Sequence, residues 1–227
     1  MEKAITYFEK PGIENTDALI ELVKERLEGS DIKYVAIASS TGASALKLNE
    51  ALKDMDVTIV NCSHHVGFKE ANKAQMDDET RAKLEDEGIV TFMGSHALSG
   101  VGKSISKKFG GATPVEIIAA TYRTFCQGMK VCAEISIMLA DAGLIPVGEE
   151  IIAIGGTGSG VDTAVVMTAA NMTNVFDIKF HEIIAAVITT AVSTPPPVPP
   201  IAIISSPTGI NPTSASMMEI SAHTFIP

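Results

Sequence analysis

Three short stretches carry residue types at spacings that could do chemistry: ASSTGASA at 38–45, MGSH at 93–96 and AIGGTGSG at 153–160. In the first, an apolar run ends at Ser39 and a helical pattern begins near Thr41-Gly42. A helix starting there points unpaired N–H groups outward. With the Ser40 and Thr41 hydroxyls, those groups suit an anion such as phosphate. Gly42 has no side chain and would let a ligand come close to the backbone. Serine and threonine also cap helices with no ligand present, so capping and anion binding are both open to this stretch.

The glycine corner of Gly155, Gly156, Thr157, Gly158 and Gly160 can expose successive N–H groups as an anion nest, or simply turn one strand into the next. It is not a dinucleotide fingerprint. Counted from Gly156, the third glycine of GxGxxG falls on Val161, and DTAVVMTAA beyond it is strand-like rather than helical. Asp162 could bind a ligand hydroxyl or cap the turn. The run ALSGVGKS at 97–104 imitates the loop GxxxxGK[ST], but Ala97 stands at the first glycine and ISKKFGG is too short for the long helix that motif opens.

Met93-Gly94-Ser95-His96 closes another apolar run, which makes His96 a candidate ligand contact beside the plain alternative of a surface histidine. His64, His65 and Cys62 offer metal donors without compact zinc spacing, so no metal site is expected. His181 beside Glu182 lacks any identifiable nucleophile or oxyanion partner, and no catalytic residue is assigned. Cys126 and Cys132 lie in an apolar helical stretch and read as core.

These loops need elements to hold them. AITYF, KYVAIASS, VTIVNCS, IVTFMGS, EIIAIGG and DTAVVMTAA read as strands, with FDIKFHEII as one last strand or a short helix. NTDALIELVKERLEGS, STGASALKLNEALKD and DDETRAKLEDEG read as helices, the first and last with a glycine stop. Thr113-Pro114 opens a long, mostly apolar helix through 141 that Gly128 could divide. That helix offers more apolar surface than one sheet covers, which points to a homo-oligomer. Strands alternating with helices are the signature of a mainly parallel sheet covered by helices.

The chain has 227 residues, 46% of them apolar, which supports a packed body. A net charge of −10 argues against nucleic acid as a partner. No apolar run reaches the ~18 residues of a membrane helix. The start MEKAITYFEK lacks a signal-peptide core, and three cysteines without CxxC spacing fit a reduced, cytoplasmic setting. Beyond Glu182 the only permanently charged residue is Glu219, and 8 of the 11 prolines lie there. The expected organisation is one α/β domain over 1–192 and a proline-rich, extended tail over 193–227.

The ordered blocks VAIASSTGASALKL, VTIVNCSHHVGF, GSHALSGVGKSISKKFGG, KVCAEISIMLADAGLIP and AIGGTGSGVDTAVVM resemble stand-alone proteins related to the C-terminal α/β domain of pyruvate kinase, from about Tyr7 to Glu182. The resemblance implies a three-layer α/β/α sandwich with a mixed, mostly parallel sheet. In pyruvate kinase the corresponding domain is regulatory, and a serine/threonine-rich loop at a helix start takes the phosphate of a sugar-phosphate effector. That loop falls here on Ser39, Ser40, Thr41 and Gly42. The stand-alone relatives are associated with flavin mononucleotide (FMN), so the resemblance implies an FMN-binding protein. The alternative is a non-catalytic module that senses a phosphorylated metabolite. Gly94, Ser95 and His96, and the corner at 155–160, become walls of the same cleft, and Phe68 a flank for a flavin ring. Lys69 and Lys103 could meet negative charge. The resemblance does not include the kinase's catalytic barrel, so phosphoryl transfer is not expected.

Overall fold

The runs of apolar and amphipathic sequence produce strands and helices in the expected alternation. The structure is a computed structural model that describes residues 4–187. Strands β1 (Thr6–Phe8), β2 (Tyr34–Ala38), β3 (Thr58–His64), β4 (Val90–Gly94), β5 (Glu150–Gly155), β6 (Thr163–Thr168) and β7 (Lys179–Val187) form one sheet in the order β1-β7-β6-β5-β2-β3-β4. Only β6 runs against the others, pairing antiparallel with β5 and β7. The sheet is therefore mixed and mostly parallel, as expected.

The helices are α1 (Thr16–Leu27), α2 (Ala43–Leu52), α3 (Asp78–Asp86), α4 (Gly100–Phe109), α5 (Pro114–Arg123) and α6 (Gln127–Asp141). Side chains alternate across a strand, so each strand feeds two cores. Ile152 and Ile154 of β5 join Leu19 and Val23 of α1, Leu48 of α2 and Leu84 of α3 on one face. Ile151 and Ala153 join Cys132, Ile135 and Leu139 of α6 on the other. Two cores on opposite faces of one sheet make the α/β/α sandwich.

One expectation changes and one open reading is settled. The segment judged too short to follow a phosphate loop is itself helix α4, and Gly102-Lys103-Ser104 lies inside it rather than before it. The long apolar stretch that Gly128 could divide is indeed two helices, broken at Thr124–Cys126 just before that glycine. Cys126 caps the second, its sulfur accepting from the Met129 N–H at 3.3 Å. Gly128 serves packing: a Cβ there would lie 2.0 Å from Thr163 Oγ1 and 2.3 Å from its Cβ, so the first turn of α6 sits directly on β6. Most apolar side chains of α6 are buried within the chain, whereas the 115–125 part of the same stretch turns Val115, Ile117 and Phe125 to solvent. FDIKFHEII splits into the end of a short 3-10 turn, Met172–Asp177, and strand β7. The proline-rich segment 193–227 lies outside the described residues.

Candidate functional site

The parallel strands β5, β2, β3 and β4 end side by side at Gly155, Ala38, His64 and Gly94. Every stretch singled out from the sequence leaves the sheet at this one end. From β2 the chain moves outward to β3 and β4, then returns across the sheet to β5 on the other side of β2. In open α/β sheets ligands sit beyond the carboxyl ends at such a reversal, here between β2 and β5.

The loop after β2 occupies the centre of this end. The Ser39 N–H donates to the Asn61 side-chain carbonyl at 3.1 Å and to the Cys62 carbonyl at 3.2 Å. Ser63 Oγ donates to the Ser40 carbonyl at 3.0 Å, so β3 pins the loop from the side. Buried Ser39 accepts from the Ser44 N–H at 3.2 Å and is thus a helix cap. The Gly42 N–H is held by the Ser39 carbonyl. The Thr41 and Ala43 N–H groups and the Ser40 and Thr41 hydroxyls have no partner among the described residues. They stand at the positive end of α2, whose first turn carries no acid.

Gly42 has a different role from the one expected. Its φ of 85° is left-handed, and a Cβ would meet Thr80 Cγ2 at 2.7 Å and Leu84 Cδ1 at 3.0 Å. The space beside it holds α3, so the residue serves backbone shape and helix packing rather than ligand approach.

On the β3–β4 side the structure gathers His64, His65, Phe68 and His96. Phe68 stacks on His64 at 3.9 Å with planes 5° apart, and His64 Nδ1 lies 2.9 Å from His96 Nε2. His65 sits edge-on to both Phe68 and His96. Burial first, then the charge of His96, pushes the His64 imidazole down to about 4, and burial also lowers His96 against an opposing pull from Glu134. Among the described residues no three of His, Cys, Asp and Glu are arranged to hold a metal ion. Cys62 is inert, its thiol pushed up to about 12 by burial. Met93 lies on β4 opposite Ser63, and Ser95 is exposed beyond it.

The glycine corner closes on itself. Asp162 accepts from the Thr157 N–H at 3.1 Å and from Thr163 Oγ1 at 2.9 Å, and Asp162 N–H donates to the Gly155 carbonyl at 3.0 Å. A Cβ on Gly156 would strike the Gly160 carbonyl at 2.7 Å, and one on Gly160 would strike Thr16 Oγ1 at 2.5 Å. Gly158 is open on its outer side. The corner is a tight β5–β6 turn seated on the start of α1, beside the β2/β5 reversal. Asp162 is the turn's internal acceptor.

Sequence reasoning missed a buried ion pair next to this cluster. Lys130 and Glu134, one turn apart on α6 and 4% and 6% exposed, pair through Lys130 Nζ and Glu134 Oε2. Glu134 Oε1 accepts from the Leu98 N–H at 2.9 Å and Ser99 Oγ at 3.2 Å. The N-terminus of α4 is therefore already met by the protein's own carboxylate, which removes ALSGVGKS as an anion loop. Lys103 is exposed on α4, and no contact carries it to the Ser39–Ala43 loop. A lysine and a glutamate four apart inside an otherwise apolar helix were the available signal. Asn61, polar in mid-strand and wholly buried, was another.

Clefts of about 220 Å³ beside Arg81 and Val90, and about 480 Å³ beside Arg26 and Glu150, lie at the opposite end of the strands. They open where β2, β4 and β5 begin and hold no free helix start. The carboxyl ends are marked instead by the unpartnered donors of the Ser39–Ala43 loop. No helix of the described residues is long and apolar enough to cross a membrane.

Sheet order and the two cores define an α/β/α domain with a mixed, mostly parallel sheet. Residues 17–175 match the family of the pyruvate kinase alpha/beta domain, and the chain belongs to that family.

Proposed function

We propose that this chain binds a phosphate-bearing small molecule, FMN, with the phosphate at the Ser39–Ala43 loop. One observation supports this above the others: unpartnered N–H groups at Thr41 and Ala43, with free hydroxyls at Ser40 and Thr41, face outward at the positive end of α2 beside the β2/β5 reversal. Neutral donors of this kind bind phosphate without a basic side chain. The ring would lie toward Phe68, which is 44% exposed and has one face covered by His64. Gly94–His96 and Gly155–Gly160 would border it on either side. Flavin, when bound, supplies any redox chemistry; the chain supplies grip, orientation and electrostatics.

The second reading is a non-catalytic sensor of a phosphorylated metabolite. The Phe68–His64 stack favours it, because the protein's own rings already fill the contact a flavin would use. Under either reading assembly would use α4, which turns Val101, Ile105 and Phe109 to solvent at a spacing of one helical turn.

Freshly purified protein is expected to show the visible flavin bands, and native mass spectrometry to show the mass of FMN on each subunit. Colourless protein that takes up no added FMN contradicts the flavin reading. A change of oligomeric mass on adding a sugar phosphate to such protein supports the sensor.

A further inference from the structure

We propose that His64 and His96 share a proton that acts as counter-charge to the ligand's phosphate, so that binding at the Ser39–Ala43 loop draws a proton onto this pair. The inference rests on the reading that the loop holds a phosphate.

The geometry allows one added charge. With His64 Nδ1 and His96 Nε2 at 2.9 Å, one nitrogen donates and the other accepts. Adding a proton elsewhere on the pair gives an imidazolium hydrogen-bonded to an imidazole, whereas two imidazoliums would set N–H against N–H and break the bond. The pair is a one-proton reservoir. Phe68 lies flat on His64 at 3.9 Å, and an aromatic face stabilises a cation there. His65 Nδ1 is buried beside the pair without a partner among the described residues.

The pair stands next to the loop. His64 directly follows Ser63, whose hydroxyl holds the Ser40 carbonyl at 3.0 Å. The loop itself, Ser39 to Ala43, contains no charged side chain. A phosphomonoester with a second pKa of about 6 arrives at neutral pH close to a dianion and has only neutral donors to meet it.

The charged and titratable groups facing the pair are His65 and Lys69 from the loop after β3, and Lys130 and Glu134 from α6. His65, Lys69 and Lys130 oppose protonation; Glu134 favours it, but its charge is held by Lys130 and by Leu98 and Ser99. Burial lowers both groups, His64 to about 4, and so favours the neutral rings in the free protein. An arriving dianion raises the pair. Each proton taken up makes affinity fall with rising pH, by up to about tenfold per pH unit, between the free and bound midpoints.

The test is nitrogen-15 NMR of the imidazoles in the full chain labelled at histidine. It is titrated from about pH 3.5 to 9, starting below the value to which His64 is lowered, with no ligand, with inorganic phosphate and with FMN. The expected result is an upward move of the joint His64–His96 midpoint by about two units or more, toward neutrality, with either ligand. The move should be lost in His96→Gln. Calorimetry in two buffers of different ionisation enthalpy should show the matching proton uptake in wild type and its loss in His64→Gln. FMN binding with an unmoved midpoint overturns this inference and leaves the flavin reading standing. A phosphate-induced move without FMN binding upholds the inference and removes the flavin. A midpoint unmoved by both ligands overturns it outright.

Discussion

Lys130→Met is expected to lower the unfolding free energy by about 3–5 kcal/mol, the range for removing one partner of a buried ion pair. The two side chains are 4% and 6% exposed, so water screens neither charge. Methionine fills the lysine's apolar volume, so lost packing contributes little. What remains is the Glu134 carboxylate, with only Leu98 N–H and Ser99 Oγ as donors. Adding Glu134→Gln removes the stranded charge while its side-chain carbonyl still accepts from Leu98, and the double variant should recover about 1–4 kcal/mol. Urea unfolding measures both: the midpoint falls in the single variant and rises again in the double, with little change of slope. Equal losses in both would mean that the pair's charge is not what holds this region.

Ala43→Asp is expected to separate stability from binding. Ala43 is exposed at the first position of α2, where no acid is present. A carboxylate there interacts favourably with the helix dipole, adding about 0.3–1 kcal/mol, so the melting temperature should hold or rise. The same carboxylate occupies the space offered to phosphate. Two unit charges 4 Å apart near a protein surface repel by about 4 kcal/mol, so FMN affinity should fall by at least about tenfold. Fluorescence titration gives the affinity and thermal unfolding the stability. A variant that is more stable and binds as before would make the loop a helix cap and nothing more.

Much of the fold was legible because its strands are continuous apolar runs and its helices carry their own stop signals. VTIVNCS and EIIAIGG could hardly be other than buried strands, and both are. Helix α4 was not legible for a physical reason: its apolar residues Val101, Ile105 and Phe109 face solvent, so no core explains them. The break between α5 and α6 was visible only as Gly128, whose close contact with Thr163, on a strand 35 residues on, is tertiary. At the candidate site, the sequence placed the start of α2 just after Ser40 and Thr41, where the structure has it. It could not show that Ser39 is consumed as a cap, that Gly42 packs on α3, or that the glycine corner bonds to itself. The packing of Gly42 depends on Thr80 and Leu84, far along the chain, while the Ser39–Ser44 and Thr157–Asp162 bonds are local but set by a loop geometry that spacing alone does not show. Pairing of His64 with His96 was hidden likewise, since only the parallel register of β3 and β4 brings them together.

The central claim is that backbone amides opening α2 grip a phosphate. Comparing FMN with riboflavin, which differ by that group alone, in binding to wild-type protein at neutral pH and low salt tests it most directly. A phosphate grip predicts that FMN binds tighter on the order of 100-fold, about 2.7 kcal/mol, with the difference largely lost in Ala43→Asp. Equal affinities for the two flavins, or tighter binding of riboflavin, would contradict it.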